Sequence, residues 1–195
     1  PISTDYRGHT VYEAPPNSSG HVLLQELNMV EQFDLKSLGC NTAESIHLMV
    51  EAKKLAYSDL QAYNGDPLHE DIPVDRLLSK SYAATLCNRI SMDSVAEPSV
   101  RGCLDGGPIY LTTADRWGNM VSLIHSVFSV NGSGATVSPY GFILHNRGVA
   151  FSLDPESPNI VAPHKRPFHT IIPGFLMQNG APKMSFGVMG GPMQA

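Results

Sequence analysis

Two glycine clusters and one cationic loop are the places in this sequence where residue types and spacing could do chemistry. Gly132-Ser133-Gly134 and Gly190-Gly191-Pro192 each follow an apolar run of strand type. Paired glycines after a buried strand let backbone N–H groups approach a developing oxyanion, because no Cβ stands in the way. The plainer reading of the same residues is a pair of tight turns. Pro163-His164-Lys165-Arg166-Pro167-Phe168-His169-Thr170 sets two cations and two histidines between prolines. Such a loop suits an anionic group gripped by charge-assisted hydrogen bonds, and its plainer reading is a solvated connection. The eight histidines show neither HxH nor HxxxH spacing and no matching carboxylate cluster, so no metal or other cofactor is expected.

Composition narrows the function classes. The chain has 195 residues, 13 basic and 18 acidic, for a formal net charge of -5. Hydrophobic residues make up 42% and charged residues 16%, a globular composition with enough apolar surface for a core. Without a basic cluster to meet phosphates, a nucleic-acid partner is not expected. No apolar run approaches the roughly 18 residues of a transmembrane segment. Cys40, Cys87 and Cys103 are far apart and odd in number, so neither a disulfide framework nor a zinc site is indicated.

The elements that must position the chemistry change character near residue 105. Before it the pattern is helical. Asn17-Ser18-Ser19-Gly20 reads as a turn and cap cluster opening an amphipathic run through Leu23, Leu24, Leu27 and Val30, closed by Gly39. Asn41 or Thr42 caps a longer helix to about Tyr63, with Ile46, Met49, Val50, Ala56 and Leu60 on one face. A third helix is predicted from about Asp75 to Ile90, and 92–107 reads as an exposed linker. From Pro108 onward PIYLTTAD, MVSLIHSVF, GFILHN, HTIIPGFLM and KMSFGVM alternate as strands, with Trp117-Gly118-Asn119 and Gln178-Asn179-Gly180 as turns. Helices followed by a meander give an α+β layered domain.

The series PISTDYRGHTVYEAPPNSSG, EAKKLAYSDLQAYNGDP, TTADRWGNMVSLIHSVF, GSGATVSPYGFILHNR, PHKRPFHTIIPGF and FGVMGGPMQ resembles the γ-glutamyltransferase family, in the family's order and across essentially the whole chain. The resemblance implies a four-layer αββα sandwich of the N-terminal nucleophile hydrolase type, here incomplete at both ends. It also implies large and small subunits cut from one precursor, and a threonine at the new N-terminus whose hydroxyl attacks a γ-glutamyl amide with its own α-amine as base. A hydroxyl is a weak nucleophile until a base stands beside it. Residues 1–107 then match the C-terminal part of the large-subunit region, helical and ending in a linker. Residues 108–195 match the N-terminal part of the small-subunit region, β-rich. The chain is therefore expected to be an internal piece of a longer protein. Its compartment stays open, since family members are often exported but the segment that would hold a signal peptide is absent.

One residue departs sharply from the family pattern. The family's threonine lies eight positions, by inclusive count, before the end of the strand that finishes in an Asp ahead of the Gly-Asn turn. Counting back from Asp115 lands on Pro108, so the cleavage site would be Gly107-Pro108. Proline has no hydroxyl to attack an amide or drive self-cleavage. Thr112 faces the same side of the strand but lies about 13 Å further along, and Thr113 faces the other side. An uncut, inactive chain follows if Pro108 is genuine. A non-catalytic binding homologue and a truncated product are the alternatives.

The rest of the pocket carries over by resemblance. Ser126 stands where a threonine helps hold the nucleophile, and Phe128 where asparagine is usual. Arg147 replaces a glutamine, and Ala150 replaces the aspartate that grips the substrate ammonium. His169 and Thr170 stand where two serines meet the substrate carboxylate. Gly190 and Gly191 match the oxyanion-hole glycines. An unpartnered Arg147 suits an acyl group with a carboxylate but no ammonium, so the expected substrate is a small γ-glutamyl or glutaryl amide, the latter as in the cephalosporin-acylase branch.

Overall fold

The computed structural model describes residues 1–97 and 108–195. The chain opens with two short strands, β1 (Ile2–Tyr6) and β2 (His9–Glu13), paired antiparallel with Tyr6 opposite His9. The two-residue connection, Arg7-Gly8, has φ of 49° and 81°, the mirror-image turn whose twist matches paired strands. A helical reading of the first hundred residues leaves this hairpin out. Arginine is a poor advertisement for a left-handed turn position, and the segment carries no Asn-Gly or Asp-Gly signal. Gln178-Asn179-Gly180 is the readable counterpart. Asn179 and Gly180 take φ of 51° and 74° between β7 (Gly174–Gln178) and β8 (Ala181–Phe186).

These four strands form one antiparallel sheet in the order β1-β2-β7-β8, so the sheet joins residues from both ends of the chain. Between them come α1 (Gly20–Val30), α2 (Leu35–Leu38), α3 (Ala43–Tyr63), α4 (Val74–Leu77) and α5 (Lys80–Cys87). Thr42 caps α3 in a reciprocal capping box with Ser45. The expected apolar face of α3 is only half right. Leu48, Ala52, Ala56 and Leu60 are buried against α1, while Ile46, Met49 and Val50 are exposed by 45% or more. The single helix expected from Asp75 to Ile90 is two. The Ser79 hydroxyl accepts from the Tyr82 N–H and starts α5 afresh, as a serine side chain does when it competes with the helix ladder.

The second hairpin, β3 (Ile109–Ala114) and β4 (Met120–His125), turns at Asp115 as expected. The Asp115 carboxylate accepts from the Trp117 and Asn119 N–H groups and from the Asn119 amide. This hairpin lies on β8: Tyr110 Oη and Ser122 Oγ are 3.0 Å apart, Ser122 Oγ donates to the Phe186 carbonyl, and Thr112 and Ser185 join hydroxyls. β5 (Thr136–Val137) and β6 (Phe142–Ile143) make a third, two-residue pair. The main core sits between α1, α3 and α5 around Val22, Met29, Leu48, Ala52, Ala56 and Leu86. Among the described residues Cys40 and Cys87 are free, and no helix is long and apolar enough to cross a membrane.

Candidate functional site

Strand register brings Pro108 and Ser126 together. Ile109 pairs with His125, so one step further places Pro108 across from Ser126, just beyond the last paired residues. Ser126 Oγ accepts from the Phe128 N–H at 3.0 Å, in a turn where Phe128 takes φ of 76°. Gly107 lies outside the described residues. Thr112 is committed to Ser185 on the neighbouring sheet, which leaves its hydroxyl occupied at a distance from Pro108.

The same end of the hairpin approaches the second glycine cluster. Tyr110, two residues after Pro108, covers Gly187 so closely that a Cβ there would lie 2.6 Å from the ring. Three residues on, Gly190 and Gly191 open a short 3₁₀ turn through Met193. Gly191 has φ of 56°, which favours glycine, and a Cβ on Gly190 would meet nothing nearer than 3.8 Å. The Gly132-Ser133-Gly134 cluster is a turn instead. The Gly134 N–H donates to the Asn131 carbonyl, and Ser133 N–H and Oγ both donate to Leu144.

Beyond Ser126 lies the most unusual group of the molecule. Arg147 is buried, 2% exposed, with its guanidinium 5.2 Å above the Phe128 ring. Its Nη1 donates to Thr170 Oγ1 at 3.3 Å, and no carboxylate among the described residues pairs with it. Burial pushes its pKa down because nothing nearby offsets the cost of desolvating the charge. The Phe128 turn and the Arg147 turn are laced together: Asn146 N–H donates to the Val127 carbonyl, and the Asn146 amide exchanges bonds with Ser129. Thr170, half of this grip, is itself buried. Ala150 is half-buried and brings no charge to the group.

His169 sits next along, held from the other end of the chain. Its Nδ1 lies 2.7 Å from the Asn17 amide nitrogen and 2.9 Å from the Pro167 carbonyl, and its N–H donates to the Asn17 carbonyl. Ser18 Oγ donates to the Ile171 carbonyl. Burial, with the nearby Arg147 charge, lowers the His169 pKa, so the ring is neutral at pH 7. An open groove of about 340 Å³ runs past Pro15, Asn17, Ser18, His169 and Pro173. Asn17 and Ser18 carry a role that sequence reasoning did not find. The Asn17-Ser18-Ser19-Gly20 cluster does open α1, with Ser19 at the cap position and no side-chain cap bond, but the Asn17 and Ser18 side chains reach to the distant loop instead. Their partners lie some 150 positions away, so nothing local signals the role.

The cationic loop is not free to bind an anion through its lysine and arginine. Lys165 Nζ pairs with Glu70 at 2.5 Å, and Arg166 grips the fully buried Asp66 through Nη2 at 2.6 Å and Nε at 3.1 Å. The Arg166 and Leu68 N–H groups complete that carboxylate's shell, and the Arg166 guanidinium holds the Asp66 carboxyl far below the usual range. Both cations are anchors that hold His169 and Thr170 in place. No cluster of His, Cys, Asp and Glu suited to a metal occurs among the described residues.

Comparison with known proteins places this geometry. The gamma-glutamyltranspeptidase family model matches residues 1–195. The glutathione hydrolase-like YwrD proenzyme of Bacillus subtilis is 40% identical over 194 residues, covering 100% of this chain and 37% of that protein. The acylase ACY 1 proenzyme of a Pseudomonas species is 32% identical, covering 97% of this chain and 35% of its own length. A crystal structure of cephalosporin acylase from Bacillus halodurans superposes with a TM-score of 0.86 at 43% identity, over 100% of this chain and 35% of that one. The chain thus spans little more than a third of the relatives it matches, and shares with the acylase a mixed α/β architecture of antiparallel sheets and helices. With a family match over its full length, the chain belongs to the gamma-glutamyltranspeptidase family of hydrolases and acyl-transferring enzymes.

Proposed function

We propose that this chain carries the acyl-binding half of an amide hydrolase or acyltransferase whose substrate bears a carboxylate on its acyl arm, a glutaryl amide in preference to a γ-glutamyl one. The observation that carries this reading is Arg147, a buried guanidinium with a hydroxyl partner, an aromatic floor and no acid among the described residues. Guanidinium offers five donors in a planar fork, and a ligand carboxylate matches that fork bidentately. Ala150 leaves no carboxylate for an α-ammonium. Thr170 and the neutral His169 ring flank the same point. The Gly190 and Gly191 N–H groups would meet the oxyanion, and Ser126 would steady the residue at 108.

In the full protein the chain would contribute to a four-layer αββα sandwich, with the large-subunit region ending at 107 and the small-subunit region beginning at 108. In a threonine-bearing parent, cleavage at 107–108 would free the α-amine that activates the hydroxyl. Pro108 itself favours a second reading. As written, the chain has no hydroxyl at that point, so it is uncut and inactive, and its pocket binds an acyl ligand without turning it over.

The test is the intact mass of the full chain together with its thermal stability in glutarate. Two chains, the smaller starting at position 108, would establish a working nucleophile and overturn the inactivity. One uncut chain protected by glutarate would establish the binding reading. One uncut chain that glutarate leaves unprotected, or that γ-glutamyl ligands protect better, would overturn the assignment of Arg147.

A further inference from the structure

A separate cavity, of about 200 Å³, is lined by residues two of whose buried polar atoms, Glu13 Oε1 and Gln194 Oε1, have no partner among the described residues. Leu23, Ile172, Phe186 and Val188 supply apolar walls, and Glu13 and Gln194 the only polar side chains. Glu13 is 2% exposed and Gln194 8%. Glu13 on β2 follows Tyr12, which pairs with Phe175, and its Oε1 fills the space a side chain on Gly174 of β7 would need: a Cβ on Gly174 would stand 2.5 Å from it and 2.4 Å from the Phe186 ring.

The hydrogen bonds fix which atoms are free. Glu13 Oε2 accepts from the Ala14 N–H at 3.3 Å, and Gln194 Nε2 donates to the Gly191 carbonyl at 3.1 Å. What remains is Glu13 Oε1 and Gln194 Oε1, both buried, both without a partner among the described residues, and both acceptors when the carboxyl is ionised. No basic side chain among the described residues lines the cavity. A buried acceptor left unmade is costly, and with Glu13 ionised the residues lining this one cavity hold two such acceptors and no donor for them.

We propose that this cavity is a binding site for a small aliphatic primary ammonium, its –NH₃⁺ donating to Glu13 Oε1 and Gln194 Oε1 and its alkyl body lying against Ile172, Phe186 and Val188. An ammonium carries three donors and one positive charge, which supplies both missing hydrogen bonds and the counter-charge for a buried carboxylate. Without it, burial pushes the Glu13 carboxyl up to about 8, so the empty site holds a neutral acid. Binding below that pH therefore ionises Glu13 and releases its proton to solvent. The site lies at the Gly191 turn through Gln194 but uses none of the residues assigned to the acyl pocket.

The experiment is calorimetric titration of the full chain with n-propylammonium chloride near neutral pH, in two buffers of different ionisation enthalpy. The expected result is saturable binding with about one proton released per ligand. Glu13→Gln should weaken it by about tenfold or more, the loss of one charge-assisted hydrogen bond. The proton count needs no variant, so a Glu13→Gln chain that fails to fold leaves the test intact. Equal binding of n-propanol, binding without proton release, or no saturable binding would each overturn the proposal, the first by showing an apolar hole and the last a site filled by water alone.

Discussion

Asp66→Asn should unfasten the loop that carries His169 and Thr170. Asp66 is fully buried and accepts four hydrogen bonds: three from Arg166, through Nη2, Nε and the backbone N–H, and one from the Leu68 N–H. Asparagine keeps the shape but turns one acceptor oxygen into a donor, so an N–H now faces an N–H. Losing charge-assisted bonds of this kind costs about 1.5–3 kcal/mol each. The Arg166 side chain is 49% exposed and can rehydrate, which discounts the guanidinium share. A net loss of about 3 kcal/mol is expected. Urea denaturation at neutral pH measures it, and a double-mutant cycle with Arg166→Met isolates the pair. The pH dependence supplies a second check. A carboxyl held below its ordinary value stabilises the fold above about pH 4 and loses that contribution as pH falls through the acid range, so the variant should lack that part of the acid limb. A loss under about 0.5 kcal/mol, or additive single variants, would refute the anchoring role, since surface ion pairs behave that way.

Other outcomes follow from the same structure. Pro108→Thr should let the full chain cut itself between 107 and 108, seen by intact mass as two fragments. Arg147→Met should abolish protection by glutarate while leaving the unliganded chain as stable or up to about 1 kcal/mol more stable, because an unpaired buried charge is removed. Glu13→Gln should flatten a pH limb: the folded state holds this proton up to about pH 8 and the unfolded chain releases it near 4.5, so wild-type stability falls across that window by about 1.4 kcal/mol per pH unit and the variant's does not. His21, buried and held down to about 4 by desolvation, works on the other side. Below about pH 6.5 only the unfolded chain takes up its proton, so stability falls toward pH 4, and His21→Gln should remove that decline in acid melting curves.

Much of this was readable because it rests on local chemistry. Asn179-Gly180 announces a turn with two positive φ angles, Asp115 ahead of Gly118-Asn119 announces another, and Thr42 with Ser45 starts a helix by its own hydroxyl. Motif order along the chain likewise pointed to the gamma-glutamyltranspeptidase family. The Arg7-Gly8 hairpin escaped because an arginine adopts a glycine's conformation there, and β2 joins the larger sheet only by pairing with β7, more than 160 residues downstream. Side-chain fates were settled by packing. Periodicity makes Ile46, Met49 and Val50 as apolar as Leu48 and Ala52, and only the position of α1 decides which of them is buried. Lys165 and Arg166 look like an anion-binding pair until Glu70 and Asp66, about a hundred residues earlier, arrive to occupy them. Arg147, unremarkable in its own stretch of chain, becomes a buried charge with no carboxylate partner among the described residues, with Phe128 beneath it and Thr170 beside it. A charge's meaning depends on what surrounds it within a few ångströms, and those neighbours come from distant parts of the chain.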